Sequence, residues 1–441
     1  MAAEAFGGGA VTGDTVVIDL GLARGEPDEY ARPQRSTVPD WFGPVLLAVL
    51  VLLSSGASAA PPPPALSRLL SLPFGPADPY SLTPDGDLLT QTYGTLSSYD
   101  LADGRLNWQA GSAAPTYRLR TGSDLVLLRP WSADHGDPGT VAVSLTSGAA
   151  RWRRSGNVVT LPGSEVLLGV TGVRSSGSGR RVQHSVDAVE PAGGGIRWQV
   201  PIPSTAVLMA VPGPAGPRML LMHDSRIAAV HDLASGRLLA SAEVPAADYG
   251  PDNPSVAGGL LMLRHPTPDG LMVSAFDPLT LRRRWTRPAG YAFGVTGCGP
   301  LICLTGPDGV RALEPAGGLQ RWFRSRWRGV EERGGTVVAF GTPAGETDPV
   351  GVIDPRTGLV LVDLHGWRLV DGTGGGDPLL VTRPDDSSSR TMVAVAAPGG
   401  PQLTLLADLP ADTGDCQSAP NRLVCRESTG ELVVWAYRRK D

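Results

Sequence analysis

The sequence predicts an all-β fold, a β-propeller of four-stranded blades preceded by one transmembrane helix. Three observations lead there. A short motif recurs about every 42 residues from Asp100 to the C-terminus. Between copies lie further β runs such as Met219–His223 and Thr336–Phe340, with no apolar run at helical spacing. The chain also carries 57 Gly and 41 Pro in 441 residues, turn chemistry for many short strands. Four strands per period of about 40 residues is the arithmetic of a propeller blade.

The motif has a β run, an acid, a turn, Gly four residues on, and Trp four residues after that. Asp100, Gly104 and Trp108 carry it first, and Gly148 with Trp152 repeat it after Ser144. Glu190, Gly194 and Trp198 follow, then Glu314, Gly318 and Trp322. Asp277 and Trp285 keep the frame with Leu281 in place of Gly. Degenerate copies start at Asp232 with Gly236 and at Asp354 with Gly358, and fainter ones at Ala396 and Ala436. An acid before a turn accepts backbone N–H groups two residues on, and Gly supplies the left-handed position. Two residues before the anchor stands a small side chain in most copies (Ser98, Ala142, Ala188, Ala275, Ala312, Ala394), leaving room for a flat indole between sheets. Burying about 200 Å² per Trp is worth at most about 5 kcal/mol, so the Trp set is expected to join the blades.

The form A-x-D-x-x-(T/S)-G-x-x-x-W resembles the tryptophan-docking repeat of the pyrroloquinoline-quinone-type (PQQ-like, quinoprotein-type) β-propellers, over about Leu66 to Lys440. An Asp-box repeat would place Trp three residues after Gly, and no Trp-Asp dipeptide of the WD40 class occurs. Membrane-anchored propellers of the outer-membrane-assembly type are nearest in size. No lipobox Cys follows the apolar segment here, so that anchoring chemistry does not transfer. The repeat count gives nine modules; family members usually have eight, and eight is the expectation, with seven or nine as alternatives. The last copy, Arg422–Glu427 and Glu431–Tyr437, lacks an outermost strand, and Leu66–Phe74 is expected to complete it.

Ahead of the propeller the chain divides into a tail (1–40), an apolar segment (41–60) and a Pro-rich linker (61–65). The tail holds seven acids and three bases and cannot bury a core, so it is expected to be disordered and cytoplasmic. Its one apolar patch, Val16–Leu20, could dock on a cytoplasmic partner. Trp41 to Ala60 contains no charge, and twenty helical residues span about 30 Å. A signal peptide cleaved after Ala57-Ser58-Ala59 is the competing reading, but the long acidic leader favours an uncleaved single-pass signal anchor. Arg32 and Arg35 precede the span, which leaves the N-terminus inside and the propeller in the cell envelope.

Cys303 and Cys425 sit at the same place relative to their anchors, each with an upstream partner, so disulfides Cys298–Cys303 and Cys416–Cys425 are expected. Net charge is −5 with no basic stripe, which argues against nucleic acid. The single Lys against 37 Arg reads as the coding bias of a GC-rich bacterial genome. The resemblance implies a quinoprotein dehydrogenase using PQQ as one possibility. The chain opposes it, for no Cys-Cys is present and no G-x-S-x-G, H-E-x-x-H or P-loop spacing occurs. The expectation is a non-enzymatic envelope scaffold without cofactor, metal or catalytic residue, binding envelope proteins or a cell-surface ligand at the cytoplasmic membrane. Alternatives are a quinone-binding redox protein, or a sensor ectodomain signalling to the tail. The basic spots Arg282–Arg284 and Arg324–Arg328 are expected to make salt bridges and protect sheet edges, or to take an anionic envelope polymer. Asp385-Asp386 reads as a solvated turn.

Overall fold

The alternation of buried and exposed residues along short strands, closed by tight Gly turns, builds antiparallel meanders whose two faces must both be covered. The computed structural model describes residues 39, 41–56, 65–111, 116–130, 139–170, 174–176, 179–250, 252–333, 335–341, 348–372, 378–385, 387–396, 402–411 and 413–438. The chain divides into two compact units, Met1–Pro63 and Pro64–Asp441.

The second unit is an all-β propeller of nine blades among the described residues. Blades 1 (80–111) and 2 (116–154) are separate four-stranded sheets, as are blades 5 (255–288), 6 (294–324), 7 (327–363) and 8 (368–410). Blades 3 (157–202) and 4 (206–243) share one eight-stranded sheet, because the strand Ile196–Val211 is the outer strand of the first and continues as the inner strand of the second. Blade 9 pairs Gly414–Ala419, Arg422–Glu427 and Glu431–Tyr437 with the N-terminal strand Leu66–Pro73. Leu66 lies opposite Tyr437 and Pro73 opposite Glu431, so the first strand of the propeller completes its last blade, as the sequence suggests.

The expected count of eight is therefore corrected to nine. Every anchor, including the faint ones at Ala396 and Ala436, has its own set of strands. The buried apolar residues give the same count: nine clusters, each joining two neighbouring blades. Leu89 and Leu96 of blade 1 meet Leu119 and Val126 of blade 2, and Leu432 and Val434 of blade 9 meet Leu82 and Leu88 of blade 1. The core thus lies between blades and contains no central mass. One extra link joins blades 8 and 9, where Asp371 and Gly372 run parallel to Gln417 and Ser418.

In the first unit the segment Phe42–Gly56 is an α-helix of 15 residues. At 1.5 Å per residue it is about 22 Å long, and among the described residues no helix is long and apolar enough to cross a membrane. Of the expected span 41–60, the described helix covers Phe42–Gly56. Residues 57–60, the tail 1–38 with its Val16–Leu20 patch, and the prolines of 61–64 lie outside the described residues.

Candidate functional site

The anchor aspartates close the turns that follow them. Asp100 Oδ1 accepts the Ala102 N–H at 2.7 Å, Asp354 Oδ1 that of Arg356 at 2.9 Å, and Asp232 Oδ1 that of Ser235 at 3.0 Å. Asp277 Oδ1 accepts from Leu279 and Thr280, and its Oδ2 holds Arg284 at 2.7 Å. The Thr280 N–H, then Arg284, push the Asp277 carboxyl down to about 2. The Ser235 hydroxyl holds Asp232, and the Thr357 hydroxyl Asp354, below the usual carboxylate range. The motif glycine then donates its N–H to the anchor carbonyl, as Gly194 does to Glu190 at 2.9 Å and Gly236 to Asp232 at 2.8 Å.

Each Trp crosses to the following blade. The indole N–H of Trp108 donates to the Leu145 carbonyl at 2.7 Å, and those of Trp152, Trp285 and Trp322 to Pro191, Pro315 and Pro355 at 2.8, 2.7 and 2.9 Å. Trp198 reaches Leu233 and Ala234 at 3.2 and 3.1 Å. Each acceptor stands one or two residues after an anchor. The indole face lies on the next motif's glycine: a Cβ on Gly148, Gly194, Gly236, Gly318 or Gly358 would come within 2.5 to 2.9 Å of Trp108, Trp152, Trp198, Trp285 or Trp322 respectively. The glycine is thus required twice, for its left-handed turn and for the indole above it. Across the sheet, the Trp faces the small residue: Ser98 opposes Trp108, Ala142 Trp152, Ala188 Trp198, Ala275 Trp285 and Ala312 Trp322.

Where the Trp is missing its surroundings change with it. Blade 4 has Ala240 in the Trp place, and the opposing small residue becomes Val230. The next motif's glycine is then Leu281, left-handed at φ 57° and buried to 4%, in one cluster with Ala240 and Val230. Its side chain occupies the space a Trp would fill. At the closing seam Leu69 and Leu70 stand over Gly104, and Arg422 donates to the Leu101 and Ala102 carbonyls, the latter at 3.1 Å. Arg422 thereby takes the acceptor that elsewhere belongs to an indole. Nothing in the motif signals this arginine, because it lies on a different strand from the missing Trp.

Within the basic spots Arg284, Arg324 and Arg328 bond inside the ring, as do arginines near them. Arg284 pairs with Asp277 and Arg321 with Glu314. Two residues after their Trp, Arg287 and Arg324 donate to the next blade, to Gly317 at 2.8 Å and to Gly358 at 2.9 Å. Arg154 reaches Gly194 and pairs with Asp187. Asp385 is satisfied by Ser387 and Ser388, while Asp386 lies outside the described residues.

At the opposite end of the blades, away from the anchor turns, Tyr93 stands 95% exposed on a left-handed turn and Tyr291 76% exposed in the blade 5–6 connection. A cavity of about 180 Å³ opens between blades 8 and 9, lined by Arg368, Asp371, Thr382, Thr391, Thr413 and Asp415. Asp371 there binds Arg333 at 2.6 Å.

Cys298–Cys303 and Cys416–Cys425 are disulfides, and no other cysteine exists. Each joins the two inner strands of one blade, and Cys298, Cys303 and Cys425 are fully buried. Such cross-strand bonds cannot form the platform of adjacent cysteines over a quinone. Among the described residues no group of three or more His, Cys, Asp or Glu is placed to hold a metal ion.

Residues 182–365 match the family model described as outer membrane protein assembly factor BamB. No curated protein matches the chain. Among solved structures, BamB from Moraxella catarrhalis is 16% identical, with a TM-score of 0.41 over 85% of this chain and 99% of that one. The WD40 domain of SCAP from fission yeast is 10% identical, covering 84% and 97% with a TM-score of 0.44. A eukaryotic initiation factor is 11% identical, covering 88% and 95% at 0.51, a likeness of fold alone. With its docking repeat and the match over 182–365, the propeller is similar to the PQQ-like β-propellers.

Proposed function

We propose that this propeller is a non-enzymatic interaction scaffold of the cell envelope, held at the outer face of the cytoplasmic membrane by residues 41–60 with residues 1–40 inside. The observation that carries the reading is the use of the repeat. Its acids, glycines, tryptophans and arginines bond to their own turn or to the next blade, so the repeat makes a rigid ring. What differs from blade to blade is the outward surface, which suits protein recognition. The match to an assembly factor supports the same reading. Placement outside the membrane is supported by Arg32 and Arg35 ahead of the apolar segment and by two short disulfides, which persist in oxidising compartments.

Proximity labelling from a tag at the C-terminus tests it. Envelope proteins should be enriched over an anchor-only control and should label the propeller reciprocally; a set indistinguishable from that control overturns the scaffold. Pyrroloquinoline quinone added to the purified chain should leave its unfolding midpoint unchanged. A raised midpoint with quinone absorbance would replace the scaffold by a redox protein.

A further inference from the structure

The anchor turns lie at one end of the ring, where seven of the nine blades dock on the next: blade 1 on 2, 2 on 3, 3 on 4, 5 on 6, 6 on 7 and 9 on 1 through the Trp and Arg422 bonds, and 4 on 5 through Leu281. Just past five of these turns, where the outer strand begins, stands an exposed apolar side chain. Leu106, Ile196, Leu238, Leu319 and Leu359 are 45%, 54%, 51%, 58% and 59% exposed. Scattered apolar residues need no explanation. Five at two adjacent repeat positions on one rim, six residues after the anchor in blades 1, 3 and 4 and five after it in blades 6 and 7, form a pattern. Exposed arginines sit beside three of them, Arg105, Arg197 and Arg237.

The chain joins the propeller at this same end. Leu66 pairs at the anchor end of blade 9, and the Arg438 N–H donates to the Ala65 carbonyl at 3.0 Å. The eight residues between Gly56 and Ala65 reach at most about 30 Å. We infer that this rim is a membrane-contact surface: its apolar side chains enter the interface of an anionic bilayer and the adjacent arginines meet lipid phosphates. The inference rests on the membrane-anchor reading above. An apolar residue beside a cation is the chemistry of interfacial binding. The exposed aromatics Tyr93 and Tyr291 lie at the other end, where the chain does not join, and stay in water.

The test uses the full chain in vesicles with and without anionic lipid. All four native cysteines are disulfide-bonded, so Leu238→Cys, Leu319→Cys or Tyr93→Cys each offers one reactive thiol for an environment-sensitive fluorophore. Lipids brominated near the headgroup should quench the label at 238 and 319 at least about twofold more than at 93. Arg105→Glu with Arg237→Glu should reduce that quenching in anionic vesicles. Thermal unfolding close to the parent's shows that the variants fold. Equal quenching at both ends overturns the inference and leaves the rim to a protein partner. Flotation after alkaline washing reads the anchor separately. Chain retained with an unquenched rim sinks the rim alone, and chain stripped by alkali but quenched beforehand sinks the anchor alone. No flotation under either condition sinks both.

Discussion

Replacing Gly358 by alanine should destabilise the propeller by about 2–4 kcal/mol, although glycine-to-alanine changes elsewhere gain up to about 1 kcal/mol by restricting the unfolded chain. Two terms oppose that gain. Gly358 is left-handed at φ 65°, which costs an L-residue about 1–2 kcal/mol. Its new Cβ would lie 2.8 Å from Cδ2 of Trp322 and 3.1 Å from Cε2, so the indole must shift; overpacking of this kind costs about 1–3 kcal/mol. Trp322 has little room to move. It is 6% exposed, is held by the Pro355 carbonyl, and meets Trp327 edge-on with ring centroids 5.7 Å apart. The assay is urea unfolding of the purified chain, with tryptophan fluorescence and far-ultraviolet circular dichroism required to coincide. Trp322→Ala alone should cost about 3–5 kcal/mol. In the double variant the clash disappears, so the pair should be less than additive by about 1–3 kcal/mol. A Gly358→Ala cost below about 1 kcal/mol, or strict additivity, would refute the reasoning. Leu281 is the natural counterpart: it keeps the left-handed turn and gains a side chain because Ala240 has vacated the space.

Arg422→Ala should cost about 1–3 kcal/mol, since it removes charged hydrogen bonds to Leu101 and Ala102 at the closing seam, and should speed proteolysis of the first strand before other sites; unchanged cleavage of Leu66–Pro73 would count against the clip. Reduction should lower stability by about 2–3 kcal/mol per disulfide, given loops of 5 and 9 residues, and identical urea midpoints with and without reductant would contradict that. Asp277 is held down to about 2 against an ordinary 3.8, so its stabilisation is complete above the ordinary value and is lost as pH falls from about 4 towards 2. Asp277→Asn should flatten the fall of the urea midpoint over that window, and a slope equal to the parent's would show that the carboxylate contributes nothing.

Some of this architecture is determined by the chain alone. The 42-residue period, the Trp with its opposing small residue, and the homologous Cys303 and Cys425 are local patterns. Strand alternation and turn chemistry act over a few residues, so a single sequence carries them. Closure was also legible, because the last copy lacks an outer strand and Leu66–Phe74 supplies an unpartnered one. The functional reading was less accessible. The rim at Leu106, Ile196 and Leu238 is invisible as a motif, since apolar residues at strand starts look like core until their exposure is known.

Blade number shows the division most clearly. Each anchor copy dictates one blade, yet how many close a ring depends on the angle between neighbouring sheets, which arises from packing across nine seams. Family habit suggested eight, and the pairing of Ala396 and Ala436 into full blades makes nine. The exchange of Ala240 and Leu281, and the substitution of Arg422 for an indole, join residues about 40 and 320 apart in sequence. Local composition sets which turns and strands form; only tertiary contact decides which side chain fills the space between two blades, because that space belongs to neither blade alone.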